Sequence, residues 1–412
     1  MPTEIEILNR LIDIKGYRVD ADQVEFDEVN RIIKVWLKPI FIAICDNCGC
    51  ACVTVKDRSE RKYKDLKFGT WTAEIWIKKR RVICAKCGVK SERIPFADQR
   101  SKCTRRLEVA VFADTIGEPI SKVSQRWSLS WDTTEHIERK YLEKWEAFKG
   151  PPQNVRWLGI DEICFGSKAK LYSVISDLEK GEVIALVSGN SQGSIDSFFK
   201  HVGAAFCNGV EAVCIDMWKA FDTSVRQHCK TAKIIYDKFH IIRHLNEAVD
   251  EVRREEFFRK GGEYRDIMRG NRWLLLRRWF NLSISQKHLL KTVFSLNRKL
   301  SKAHYLKEIF GHLWFYKSRS WALQFLNRWR SELRWQRLEP FEKFYKMIEK
   351  HVDGILNYCN IKLPLGLVEN LNGKIKILLR RTRGFIDEKH FALRIMFMTD
   401  TTKYIFLSTF HT

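Results

Sequence analysis

Short apolar runs alternate with polar or glycine-containing turns between residues 155 and 237, and three of them end on an aspartate: Val155–Asp161 (VRWLGID), Val210–Asp216 (VEAVCID) and Ala232–Asp237 (AKIIYD). Runs of this length predict buried strands of a sheet covered on both faces. The pattern predicts strands over 155–164, 170–177 and 182–188, with Glu179-Lys-Gly181 turning the second into the third. A helix over 194–205, a strand over 210–216, a helix over 219–229 and a strand over 232–236 follow. Three strands able to pair antiparallel, then α, β, α, β, is the element order of an RNase H-like fold, although other α/β folds share it.

Upstream, residues 1–40 alternate apolar and polar positions around Ile32, Val35 and Leu37, which predicts strands leading into a cysteine cluster. Alternation returns at Thr72 and continues through Arg80 and Val82, again as a strand. From Thr104 to Thr115 the period becomes helical, Gly117-Glu-Pro119 breaks it, Ile120–Trp127 reads as a second short helix, and Ser130 can cap a third from Trp131 to Phe148. Short helices separated by tight turns predict a helix-turn-helix unit whose last helix could enter a major groove, and a plain three-helix linker has the same pattern. Gly150-Pro-Pro-Gln-Asn154 is the clearest boundary. From Lys238 to about Tyr358 the pattern is helical and basic, with Trp273, Trp279, Trp314, Trp321, Trp329 and Trp335, so an all-helical insertion inside the sheet domain is expected. Tryptophans beside arginines either fill a core or stack on unpaired bases.

A chain of 412 residues exceeds one compact core. The expected organisation is a multidomain α+β protein: N-terminal strands and a zinc ribbon over 1–100, a helix-turn-helix over 101–150, the first part of an RNase H-like core over 151–245, the helical insertion over 246–360, and a closing helix with the C-terminus over 361–412. With 45% hydrophobic residues, 12% aromatics and 8 prolines, the composition is that of a globular protein. Lys and Arg interrupt every candidate membrane span and MPTEIEILNR is no signal peptide, so a cytoplasmic, nucleoid-associated protein is expected. The net charge of +23, from 73 Lys and Arg against 50 Asp and Glu, points to a polyanionic partner. Basic residues are spread through the chain, as in KKRR (78–81) and KIKILLRRTR (374–383), which fits a protein that follows a nucleic-acid backbone over several domains.

Candidate chemistry sits at two places. Cys45-Asp-Asn-Cys48 and Cys84-Ala-Lys-Cys87 are paired CxxC knuckles with a strand pattern between them, the arrangement of a zinc ribbon with four thiolates; Cys50 and Cys52 leave the ligand choice open. Asp161 and Asp216 end two runs that, if neighbouring and parallel, bring both carboxylates to one cation. A hard ion such as Mg²⁺, or Mn²⁺, takes such oxygen ligands and completes its shell with water and substrate phosphate. Glu162 should point to the opposite face of its strand from Asp161. Downstream, Val368, Leu371, Ile375, Leu378 and Leu379 mark one helical face, and Glu369, Asn372, Gly373, Lys376, Arg380 and Arg383 lie on the other. A carboxylate there could reach a metal while the basic groups hold DNA phosphates; a capping glutamate on a solvated helix is the plainer alternative. His240 and His244 have zinc-protease spacing, but Ile-Ile-Arg between them lacks the glutamate base. No GxxxxGK[ST] phosphate loop occurs.

With these residues in view, the chain resembles the DDE transposases of bacterial insertion sequences, of the zinc-ribbon-bearing kind related to the mutator-like superfamily. The likeness spans almost the whole length: the two knuckles, Leu158-Gly-Ile-Asp-Glu162, Cys214-Ile-Asp-Met-Trp-Lys219, Tyr236-Asp-Lys-Phe-His240, Arg243-His-Leu-Asn246, and Glu369-Asn-Leu-Asn372 with Ile375-Lys376. It implies that Asp161, Asp216 and Glu369 are the catalytic acids, that Asp237 and His240 form a supporting Asp-x-x-His motif, and that the insertion separates the second acid from the third. It also implies Mg²⁺-dependent cleavage and strand transfer on double-stranded DNA, at terminal inverted repeats and target, by at least a dimer on the DNA. A regulator without catalysis and a nuclease without strand transfer are the alternatives. Lys238 stands where the family often has arginine, and Gly373 weakens a helix that should be firm.

Overall fold

The computed structural model describes residues 3–165, 170–259, 262–382 and 387–410. The chain forms two compact units, Met1–Lys149 with Thr402–Thr412, and Gly150–Thr401. No helix among the described residues is long and apolar enough to cross a membrane.

The first unit opens with a helix that alternation does not predict, α1 (Glu4–Ile12). Its cause is local: Thr3 accepts a hydrogen bond from the Glu6 amide, and the Glu6 carboxylate accepts one from the Thr3 amide, a reciprocal cap that satisfies two otherwise unpaired donors. Strands β1 (Tyr17–Asp27), β2 (Ile32–Pro39), β3 (Ala43–Ile44), β4 (Ala51–Cys52), β5 (Val55–Phe68), β6 (Trp71–Cys84) and β7 (Gly88–Ser91) follow. The main sheet has the order β1-β2-β6-β5, with β7 on β6 and only the β2–β6 pair parallel. Alternate residues Val35, Leu37, Ile75 and Ile77 fill its core with Tyr63. Helices α2 (Arg105–Gly117), α3 (Ile120–Trp127) and α4 (Trp131–Lys149) come next, and the C-terminal helix Lys403–Ser408 joins this unit, Phe406 meeting Phe148 and Phe410 meeting Tyr141 at ring distances of 5.5 and 5.3 Å.

Asp98, in the loop between β7 and α2, ties α2 to α4. It accepts from Arg105 at 2.8 Å and pairs with Lys140 at 2.7 Å and Lys144 at 3.3 Å. Burial pushes its carboxyl up, but the Lys140 and Arg105 hydrogen bonds and the lysine charges outweigh it and hold the group far below the usual carboxylate range. A depressed folded pKa contributes stability above the unfolded value, and that stability is lost as pH falls through the folded one. Asp98→Asn is therefore expected to cost on the order of 1 kcal/mol at pH 7, discounted for screening, with the difference from the parent closing below about pH 4 in acid titrations of melting temperature.

The second unit is built on β8 (Trp157–Phe165), β9 (Lys170–Asp177), β10 (Glu182–Ser188), β11 (Ala212–Ile215) and β12 (Lys233–Tyr236), in the order β10-β9-β8-β11-β12. β10, β9 and β8 pair antiparallel, and β8, β11 and β12 pair parallel. This is the mixed sheet expected of an RNase H-like core. Helices α5 (Gln192–Gly209) and α6 (Lys219–His228) make the crossovers, α5 with a kink at Gly203. The helical region then comprises α7 (Lys238–Arg259), α8 (Glu263–Met268), α9 (Arg272–Leu276), α10 (Ile284–Leu296), α11 (Arg298–Phe310), α12 (Arg319–Arg334), α13 (Glu339–Lys350) and α14 (Val352–Asn360). The chain closes on α15 (Gly366–Thr382) and α16 (Glu388–Thr399).

Side chains alternate across the sheet as strand geometry requires. Leu158, Ile160, Val213 and Ile215 face α5, α6 and α7 in one continuous core that extends through the helical region to Cys359. Ile163 and Val174 face the other way, against Leu371, Ile375 and Leu378 of α15 and Phe391 and Ile395 of α16. α7 starts directly after Asp237 and runs unbroken past residue 246, so sheet and helical region are joined by one rigid element. α14 lies on β12 so closely that a Cβ at Gly354 would stand 2.5 Å from the Tyr236 ring, and only glycine permits that approach. Among the tryptophans, Trp314 and Trp329 are core, whereas Trp273, Trp321 and Trp335 are exposed.

Candidate active site

Parallel register sets the site. Ile160 pairs with Ile215, and Ile215 with Tyr236, so Asp161, Asp216 and Asp237 follow side by side at one edge of the sheet. Neighbouring strands lie about 4.8 Å apart, which places three carboxylates within reach of one another. Asp161 Oδ1 accepts the Glu162 amide at 2.8 Å, and Asp216 Oδ1 accepts the Met217 amide at 2.6 Å. His240, in the first turn of α7, links the other two: its Nδ1 is 3.1 Å from Asp237 Oδ2 and its Nε2 is 3.7 Å from Asp216 Oδ2. Asp237 also caps α7 by accepting the Phe239 amide at 3.0 Å.

Burial, with the negative charges of Asp237 and Asp216, raises the Asp161 carboxyl above its ordinary range despite the Glu162 amide and His240. The cluster acts on His240 in the opposite sense. Burial alone would lower its imidazole, but the Asp237 hydrogen bond and the charges of Asp216 and Asp161 raise it. Even the buried Cys214 thiol is pushed well above its usual value, by burial first and then by the three aspartates. An uncompensated knot of carboxylate charge with oxygen donors fits a hard divalent cation, whose binding would relieve the repulsion.

The fourth element at this edge is α15. Asn372 Nδ2 donates to Asp161 Oδ2 at 2.5 Å, while the buried Asn372 Oδ1 has no hydrogen-bond partner. The helical pattern set Asn372 beside Glu369 without assigning it a part in the site. The available signal was its position one turn after Glu369 on the same helix. Glu369 itself is exposed and makes no hydrogen bond or ion pair among the described residues. Glu162 points away from Asp161 and accepts from Asn190 at 3.0 Å. Lys376 and Arg380 are exposed on α15; Arg383 lies outside the described residues. α15 continues through Gly373, with nothing within 4 Å of where its Cβ would be, and Lys238 sits over the Trp314 ring at 5.5 Å.

In the first unit, the ligand atoms of Cys45, Cys48, Cys84 and Cys87 all lie within 4.8 Å of one another. Cys50 and Cys52 lie beside this set and are not part of it, Cys50 next to Cys48 and Cys52 next to Cys84. The knuckle turns supply backbone donors. The Cys50 amide foremost lowers the Cys48 thiol, and the Lys86 and Cys87 amides lower that of Cys84. Cys87 accepts from Asn47 at 3.3 Å, yet neighbouring Cys48 and burial leave it raised to about 11. Four cysteine sulfurs this close can close on one cation, and a set of four thiolates suits the tetrahedral preference of Zn²⁺.

Comparison with known proteins supplies the family. Residues 158–395 match a family of transposases, the ISL3 type. Residues 43–87 match the zinc-finger of the transposases of IS204, IS1001, IS1096 and IS1165. The chain is 27% identical over 388 residues to the transposase for insertion sequence element IS1001 of Bordetella parapertussis, covering 92% of this chain and 95% of that protein. It is 23% identical over 399 residues to the transposase for insertion sequence element IS1557 of Mycobacterium tuberculosis, covering 89% of each.

Proposed function

Because the chain belongs to the ISL3 family of transposases, we propose that it cuts and rejoins DNA at the ends of an insertion sequence by Mg²⁺- or Mn²⁺-dependent phosphodiester chemistry, with Asp161, Asp216 and Glu369 as its acids. The observation that carries this reading is the register that sets Asp161 and Asp216 side by side, with Asn372 of α15 hydrogen-bonded to Asp161. Glu369 precedes Asn372 by three residues and is therefore its neighbour on the helix surface, within a side chain's length of the same edge.

Bound divalent ions at this edge would polarise the attacking water and stabilise the departing oxygen. The chain's own part is positional and electrostatic. Asp161 and Asp216 would hold the cations, Asn372 keeps Asp161 oriented, and Asp237 fixes His240 through Nδ1 so that Nε2 faces Asp216. Water oxygen adds to the phosphorus at the element end, the phosphorus–O3′ bond breaks, and a 3′-hydroxyl is left. That hydroxyl then attacks a target phosphodiester and releases a target 3′-hydroxyl, so bond number is conserved and no nucleotide triphosphate is consumed. Lys376, Arg380 and Arg383 hold phosphates, the zinc ribbon and the helices α2 to α4 recognise the terminal inverted repeats, and the helical region holds flanking or target DNA. Joining two ends requires at least two copies of the chain on the DNA.

Incubation with Mg²⁺, labelled element-end duplex and target plasmid tests this. Cleavage followed by joining is expected. Cleavage alone would make the protein a nuclease, and binding alone a regulator, and either would overturn the reading.

A further inference from the structure

We infer that Trp218 and Phe239 form an aromatic clamp that stacks on bases unpaired beside the bond being cut; this rests on the DNA-cutting reading above. Register equivalence comes first. Ile215 of β11 pairs with Tyr236 of β12, so Asp216 and Asp237 are aligned; Trp218 stands two residues beyond Asp216 at the N-cap of α6, and Phe239 two residues beyond Asp237 in the first turn of α7. Each turn thus carries a carboxylate toward the site and a large aromatic just past it. Two residues of chain span at most about 7 Å, and successive nucleotides of a strand rise about 3.4 Å. The bases one or two positions from a phosphodiester held by Asp161 and Asp216 are therefore within reach of these rings.

Exposure is the second observation. Trp218 is 50% and Phe239 49% exposed, and among the described residues neither belongs to a hydrophobic core, although Met217, between Asp216 and Trp218, packs into the main one. Phe239 is nonetheless tied to the site, its ring meeting that of His240 edge-on at 5.7 Å, and His240 in turn faces Asp216. Trp218 gives α6 its N-cap position without any side-chain capping bond, so the indole has no local structural duty there. Exposed Lys219 follows it and supplies charge for the adjoining phosphate. Flat rings beside a carboxylate edge on a chain of net charge +23 suit a nucleobase, whose π-face stacks without regard to sequence. Holding bases out of the duplex would open the backbone at the bond and offset the cost of unpairing.

The two rings are positioning residues, and the test separates them from the carboxylates. In full-length Asp161→Asn protein, which retains the clamp, 2-aminopurine placed one or two nucleotides from the cut should change its fluorescence on binding. Adding Trp218→Ala and Phe239→Ala should abolish that change while DNA affinity stays within about threefold. In the parent background the double alanine variant should cut paired ends about five- to 150-fold more slowly, the range of aromatic–base stacking. An end mismatched at those positions should regain most of the rate, and Trp218→Phe with Phe239→Trp should behave as the parent does. If the alanine variant cuts paired ends at the parental rate, or is slowed equally on mismatched ends, the clamp is wrong and the DNA-cutting reading stands. If the parent cuts neither substrate, it is that reading which fails.

Discussion

Asp161→Asn is expected to lower Mg²⁺-dependent cleavage of element ends by about a thousandfold or more, while leaving end binding and melting temperature intact. Asparagine keeps the shape of the side chain and the hydrogen bond to the Glu162 amide, so the strand edge is undisturbed. What it removes is a carboxylate that faces Asp216 and Asp237 at the strand ends, where a cation's contribution to the transition state is several kcal/mol, and each 1.36 kcal/mol is tenfold in rate. Stability should hold or rise slightly, since Asp161 is buried against Asp237 and Asp216 and its charge opposes theirs. Asn372→Ala leaves the charge and removes only the donor to Asp161 Oδ2, for which about ten- to 100-fold is the usual loss when a partner of a metal ligand is deleted. Single-turnover cleavage at saturating protein, beside thermal melts, measures all of these. Parental cleavage by Asp161→Asn would remove this edge of the sheet from the chemistry while leaving family membership untouched.

Cys84→Ser, or treatment with a strong chelator, is expected to release zinc and unfold the ribbon, abolishing end-specific binding. The ribbon has little else to hold it. Its apolar centre consists of Ala43, Cys45, Cys52, Val82 and Cys84, and β3 and β4 are two residues each. So small a core cannot offset the entropy of ordering the knuckles, whereas structural zinc contributes about 10–16 kcal/mol in isolated finger peptides. Metal content by atomic absorption should fall from one equivalent toward zero, with loss of affinity for element ends but not of the melting transition of the Gly150–Thr401 unit, which has its own core. Cys52→Ala, outside the four-thiol set, should retain the metal. Were Cys52→Ala to lose zinc and Cys84→Ser to keep it, the ligand assignment would be wrong.

What could be read in advance follows from how locally each feature is encoded. Val210–Asp216 and Ala232–Asp237 are apolar runs too short for helices and too uniform for a solvated strand, so parallel buried strands were legible, and with them the alignment of Asp161 and Asp216. The CxxC knuckles were legible because four thiolates leave few other chemistries open. α1 was hidden: its Thr3–Glu6 cap is a helix signal, but it stands before residues whose alternation argues for strands, and the cap prevailed. The part of Asn372 was hidden for a different reason. Its partner is 211 residues away, and no local pattern distinguishes an asparagine that orients a carboxylate from one that faces water. The proposal for Glu369 rests on its motif and on the position of its helix, since among the described residues it makes no contact of its own in the site.

The unbroken passage of α7 from the sheet edge into the helical region bears on how relatives of this protein can exchange parts. The core that begins at Val155 and Leu158 runs on through Trp329 and Phe341 to Cys359 without a seam. A recombination joint near residue 245 would sever a helix and divide that core, leaving both products with raw apolar faces. A graft that enters at Gly150 and leaves at Thr401 carries the whole of it. Whatever an exchange replaces around Gly150–Thr401, the helical region travels with the carboxylates as a single heritable block.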